Sequence, residues 1–131
     1  MPAPQTVVQA VQAEYNAVPG FYTVGTYTAG LFLEEALKAV KGRFEDKPGF
    51  VRALHSVKLR EGPVGPVRLD EYGKPILSIY VRRVERKDGR LVNAIVATFP
   101  EVSQFWRYDA KQFLARPAYS RDVPQAKNLE P

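Results

Sequence analysis

The chain has no cysteine, a single histidine and a single methionine among 131 residues, and each shortage removes a class of chemistry. Without thiols there is no disulfide framework, thiolate metal site or thiol redox couple, although the compartment stays open because many exported proteins also lack disulfides. His55 stands alone among apolar helical neighbours, so a structural or exposed histidine is the ordinary reading against a metal ligand or a catalytic base. Nowhere do about eighteen apolar residues run together, so no segment reads as membrane-spanning. The opening MPAPQTVVQAVQAEY has neither a basic n-region nor a continuous apolar h-region, and as written it carries no export signal of its own.

Catalytic patterns are missing as well. Glu34 and Glu35 are adjacent on a helical stretch and point about 100° apart, which does not suit a convergent acid/base pair. Ser103 and Ser120 have no evident activating base. Gly62 and Gly65 are interleaved with prolines, which remove amide donors, and no Gly-Lys-Ser/Thr follows, so a phosphate loop is excluded. Asp70 and Glu71 fall on a turn, where an aspartate ordinarily bonds nearby backbone.

What is present describes one globular unit. Hydrophobic residues make up 45% and charged residues 25% of the chain, enough for one core and hardly for two. Eleven prolines and nine glycines act as punctuation between elements. The net charge of +5 and pI near 9.6 raise the question of nucleic acid, with Arg82, Arg83, Arg86, Lys87 and Arg90 as the candidate patch. On a strand, however, Arg82 and Arg83 face opposite ways, and Glu85 and Asp88 interrupt the run; a solvated hairpin end is the better reading.

Periodicity predicts helices first and strands afterwards. Val7, Val8, Val11 and Tyr15 lie along one face of a short helix ending before Pro19-Gly20. From Phe21 to Val40 the stripe of Val24, Tyr27, Leu31, Ala36, Leu37 and Val40 predicts the longest helix, stopping at Gly42. Asp46 before Pro48 opens a third, carrying Phe50, Val51, Leu54 and Val57. After residue 60 the period becomes 2, with Pro63 and Pro66 holding the connection extended. Val67 and Leu69 lead into a turn at Asp70–Gly73, and a strand over Ile76–Val84, apolar on both faces, is expected to be covered on both sides. The Asp88-Gly89 turn predicts an antiparallel return over Leu91–Phe99, closed by Pro100. Phe105, Trp106 and Tyr108, with Phe113, Leu114 and Tyr119, read as anchors of an irregular segment, and 125–131 as a flexible tail.

The ordered blocks PGFYTVGTYTAGLFLEEALKAVKGRFEDKPGFVRALHSVKL, GPVGPVRLDEYGKPILSIYVRRVE, FPEVSQFWRYD and PAYSRD resemble the C-terminal part of periplasmic substrate-binding proteins of ABC transporters. The closer likeness is to the branched-chain amino-acid-binding type with the type I periplasmic binding fold. The resemblance covers about Val7 to Pro124, taken as one portion, residues 1–124, of such a domain. It implies an α/β fold built of two lobes that close on a ligand, of which this chain would supply the C-terminal third, helices followed by an antiparallel hairpin.

The resemblance further implies a non-enzymatic solute-binding component of an importer, without a cofactor or metal and located in the periplasm. Its ligands would be branched-chain or other hydrophobic amino acids, or related small carboxylates including aromatic acids. Its partners would be the membrane permease and, indirectly, the ATPase, with no nucleic acid and no direct membrane insertion. A ligand-sensing regulatory module on the same fold, or a truncated fragment without independent binding, are the alternatives. By the same resemblance Tyr22 and, after it, Phe21 are the ligand-binding candidates at the mouth of the long helix. An aromatic edge there could meet an apolar ligand group and the Tyr22 hydroxyl could add a hydrogen bond; the competing reading is ordinary packing. Tyr27 reads as helix packing and Tyr72 as a turn residue.

Overall fold

In a computed structural model of the chain, residues 3–117 are described. The expectations for Ser120, Tyr119 and the 125–131 tail lie outside them. Three helices come first: α1 Ala3–Tyr15, α2 Phe21–Ala39 and α3 Lys47–Ser56. Then come β1 Lys58–Leu59, β2 Val67–Leu69, β3 Pro75–Lys87, β4 Arg90–Val102 and a short α4, Ala110–Leu114.

Local chemistry sets the helix ends. Asn16 takes a positive φ of 50° and bonds back to the Gln12 carbonyl, stopping α1. After α2, Lys41 and Gly42 both adopt positive φ. The Lys41 amide bonds the Lys38 carbonyl and the Gly42 amide bonds that of Leu37, a Schellman termination that satisfies the last carbonyls. α3 begins as the sequence predicts: the Asp46 carboxylate accepts from the Gly49 amide at 3.1 Å, with Pro48 in the first turn.

The four strands form one antiparallel sheet in the order β1-β2-β3-β4. Leu59, Val67 and Leu77 are paired across neighbouring strands and therefore share a face. On that face they meet Phe32 and Ala36 of α2 and Val57, with Leu31, Phe50, Ala53, Leu54, Val64 and Leu69 packed around them. Within α2 the buried side is thus Phe32–Ala36, one turn apart, whereas Tyr27 and Leu37 of the expected stripe are 43% and 38% exposed. Nearly every turn of α2 offers an apolar residue, and only the docking angle decides which of them faces the sheet.

The β3–β4 hairpin runs beyond its predicted limits. Lys87 pairs with Arg90 across Asp88 and Gly89, whose φ values of 51° and 76° give the two positive-φ positions of a type I′ turn. Pro100 does not close the pair, because Val102 still faces Leu77. The register slips between Val81 and Arg82 and between Leu77 and Ile79, placing an extra residue on β4 each time, at Val96 and at Pro100-Glu101. The expectation of cover on both faces is not met within residues 3–117: Val81, Val84, Leu91 and Ile95 are 46%, 64%, 67% and 55% exposed. β2 is three residues long, so it flanks only the first part of β3.

Beyond β4 the expected irregular segment closes on itself through rings. Phe105 is buried, edge-on to Tyr72 at 5.5 Å and to Phe113 at 5.7 Å, while Trp106 meets Phe99 at 5.8 Å. The short helix α4 is an addition to the sequence reading, started by Asp109 accepting from the Gln112 amide.

Candidate functional site

α2 and α3 stand side by side over the sheet, and between them lies a groove of about 650 Å³. Phe21, Thr28 and Phe32 enter it from α2, Val51 and His55 from α3, and Leu69 and Leu77 from the sheet. Residues 21, 25, 28 and 32 fall on one helical face, which is why the groove follows α2 along most of its length. Its lining has no carboxylate, lysine or arginine; Thr28 and His55 supply the polar side chains.

Of the two candidate ligand residues, Phe21 lines the mouth of this groove and Tyr22 does not. Both are on the first turn of α2, 86% and 85% exposed, with their rings edge to face at 5.6 Å. Within residues 3–117, then, neither ring is core. Tyr72 occupies the Asp70–Gly73 turn against Phe105, in keeping with its turn reading, whereas Tyr27 is partly exposed on α2.

A second, smaller cavity of about 300 Å³ lies against the sheet, bordered by Lys58, Arg60, Arg68, Ile76, Pro100 and Glu101. Lys58 pairs directly with Arg68, and Arg68 with Ile76, so the two cations project from the same face beside each other. Arg68 reaches Glu101 at 3.5 Å. This juxtaposition escaped the sequence reading because it depends on the β1–β2 register, and a two-residue strand leaves no periodicity to read.

The remaining charged residues are structural or solvated. The Asp70 carboxylate accepts from the Tyr72 and Lys74 amides at 2.9 and 2.8 Å and from the Gln104 side chain at 2.9 Å. Burial pulls its pKa up, but these hydrogen bonds outweigh it and hold the carboxyl below its ordinary value. For Tyr72, burial followed by the charge of Glu71 pushes the phenol up. Glu34 and Glu35 both reach Lys38 at 2.8 Å; their hydrogen bonds, that of Glu34 first, hold the ammonium above the usual lysine range. At the hairpin end Arg83 pairs with Glu85, Arg86 donates to the Gly89 carbonyl, and Arg82 lies over Tyr80, so these cations form no continuous stripe. Among the described residues no cluster of His, Cys, Asp or Glu could hold a metal ion, and no helix is long and apolar enough to cross a membrane.

No family model and no curated protein matches the chain, but solved structures do. An ABC transporter substrate-binding protein from Sphaerobacter thermophilus superposes with a TM-score of 0.72 at 33% identity, covering 77% of this chain and 28% of its own. A solute-binding protein of an ABC transporter from Rhodopseudomonas palustris BisB5, in complex with 3,4-dihydroxybenzoic acid, gives 0.69 at 33% identity over 76% and 27%. Another from R. palustris, in complex with benzoate, gives 0.63 at 28% identity over 78% and 27%.

An α/β unit of helices on an antiparallel sheet, matched in fold and sequence to these proteins, belongs to the ABC-transporter substrate-binding proteins of the type I periplasmic binding family. The chain spans little more than a quarter of the length of the relatives it matches.

Proposed function

We propose that this polypeptide contributes to the solute-binding component of an ABC importer whose ligand is a small aromatic carboxylate, working with a membrane permease. The observation that carries the reading is that relatives 28–33% identical over about three quarters of this chain were solved with benzoate and 3,4-dihydroxybenzoate. It narrows the range suggested by the resemblance toward its aromatic acids and away from branched-chain amino acids. The exposed Phe21–Tyr22 pair supports it, since two edge-to-face rings at a helix start offer a wall on which a third ring can pack. The groove beside them carries no cation, so the ligand's carboxylate would be held by groups elsewhere in the two-lobed protein. In this reading Tyr22 and Phe21 bear on ring affinity and contribute little to holding charge.

The test is a binding protein reconstituted with these residues and titrated calorimetrically with benzoate, 4-hydroxybenzoate, leucine and valine. Benzoates should bind and the aliphatic amino acids should not. Tyr22→Ala, which removes an exposed ring, should weaken benzoate about tenfold, near the upper end of a ring–ring contact, with an unchanged melting temperature. Leucine binding with silent benzoates would overturn the ligand class, and unchanged affinity in Tyr22→Ala would remove that residue.

A further inference from the structure

The smaller cavity joins a cationic rim to apolar walls. Leu59, Val67 and Leu77 pack toward the helices, so Lys58, Arg68 and Ile76, paired in a row across β1, β2 and β3, project from the opposite face of the sheet. None of the described residues of α2 or α3 borders the cavity, whereas Arg60 adds a third cation and Pro66, Ile76 and Pro100 add apolar surface. Like charges directly opposite across two strands weaken a sheet, and here little offsets them. The Glu101 carboxylate, brought alongside by the second bulge of β4, is 3.5 Å from the Arg68 guanidinium and its side chain is 76% exposed. That separation exceeds the roughly 2.9 Å of a charge-assisted hydrogen bond. Among the described residues Lys58 and Arg60 form no ion pair. The volume, about 300 Å³, compares with about 150 Å³ for an apolar cavity that takes a benzene ring, so a small ring and its carboxylate fit together.

We infer that this cavity is a binding site for a small organic acid, its carboxylate between Lys58 and Arg68 and its apolar body against Ile76 and Pro100. The sign of the ligand follows from charge: three cations face one exposed carboxylate, and a bound anion relieves the repulsion between Lys58 and Arg68. The guanidinium offers a planar fork that matches a carboxylate, and the ammonium a compact charge beside it. The apolar walls select a carboxylate with a hydrocarbon body over an inorganic anion, which would cover none of that surface. The site is separate from the Phe21–Tyr22 rings, which stand on α2 at the other face of the sheet, and it does not depend on the ligand proposed above.

The experiment titrates the 131-residue chain with cyclohexanecarboxylate at low salt, followed by backbone amide NMR shifts and by thermal melting. Shifts are expected at Lys58, Arg68 and Ile76, with a melting temperature that rises with probe concentration and an affinity that falls as salt is added. Cyclohexanecarboxamide keeps the ring without the charge, and inorganic phosphate keeps the charge without the ring; each should bind about tenfold more weakly or worse. Arg68→Gln and Lys58→Gln should each weaken the acid about tenfold, and Lys87→Gln at the hairpin tip should not. Without probe, Lys58→Gln should melt higher than the parent because it removes the cross-strand repulsion, so its lost response would be loss of the site and not of the fold. No response to the acid would overturn the inference, as would an amide or a phosphate bound as tightly, or an affinity unchanged in both variants. A response lost equally in Tyr22→Ala would assign the carboxylate to the α2 rings and overturn it too. Short polyglutamate bound at these residues while the acid is silent would give the cations to an acidic polypeptide, with the same consequence.

Discussion

Asp70 ties together three pieces of chain: its own turn, Lys74 just before β3 and, through Gln104, the segment after β4. Asp70→Ala removes an acceptor from two backbone amides and one side-chain amide at once. Full burial would make each loss worth about 1–3 kcal/mol, but water reaches this turn and can replace part of the bonding, so a total of about 2 kcal/mol is expected. For a domain of this size that corresponds to a fall in Tm of roughly 6–12 °C. Asp70→Asn should cost less, since Oδ1 can still accept from both backbone amides while its new NH₂ must be met by rotation of the Gln104 amide. The two variants also differ from the parent in acid. Because folding holds the Asp70 carboxyl below its unfolded value of about 3.9, its stabilisation is complete above that pH. It is lost as the pH falls through the lower folded value. Thermal melts followed by circular dichroism from pH 7 to pH 2 should therefore show a shallower acid decline in both variants. A Tm for Asp70→Ala within about 1 °C of the parent at pH 7 would refute the reasoning, as would an acid decline unchanged by either substitution.

Two further substitutions test the sheet. Gly89→Val puts a β-branched residue at φ 76° in the hairpin turn and should destabilise by about 1–2 kcal/mol, read as a lower Tm; no change would contradict the type I′ assignment. Lys58→Glu replaces one of two directly opposed cations by a partner for Arg68 and should raise stability by about 0.5 kcal/mol, more at low than at high salt. A loss of stability independent of salt would refute the cross-strand pairing.

The sequence disclosed this architecture unevenly, for physical reasons. Punctuation was legible because it depends on local chemistry: Asp46-Pro48 starts α3, Gly42 lies in the stop of α2, and Asp88-Gly89 turns the hairpin, each within the reach of its own hydrogen bonds. The Asp70 turn was legible for the same reason. What could not be read depended on partners distant in sequence. β1 is too short to have a period, the choice of Phe32 and Ala36 over Tyr27 and Leu37 follows from how α2 docks, and β4 passes Pro100 because a bulge absorbs it. The candidate site divides the same way. Phe21 and Tyr22 were singled out by a family likeness and lie together on the first turn of α2, but that only Phe21 turns toward the groove is a matter of helix phase against α3.

The uncovered hairpin has an edge and faces of different character. Its β4 edge is guarded against pairing with another strand by Pro100 and two bulges, whereas among the described residues β3 beyond Leu77 has no neighbour on its other side, and its tip is solvated by Arg83, Glu85 and Arg86. Its faces carry no such protection: Ile79, Val81, Val84, Leu91, Ile95 and Phe99 are all more than 40% exposed. A strand pair with apolar faces of this extent is suited to being packed against on those faces. The α2–α3 groove has the same character, apolar and without charge in its lining. Both surfaces therefore suit packing against further polypeptide better than open water.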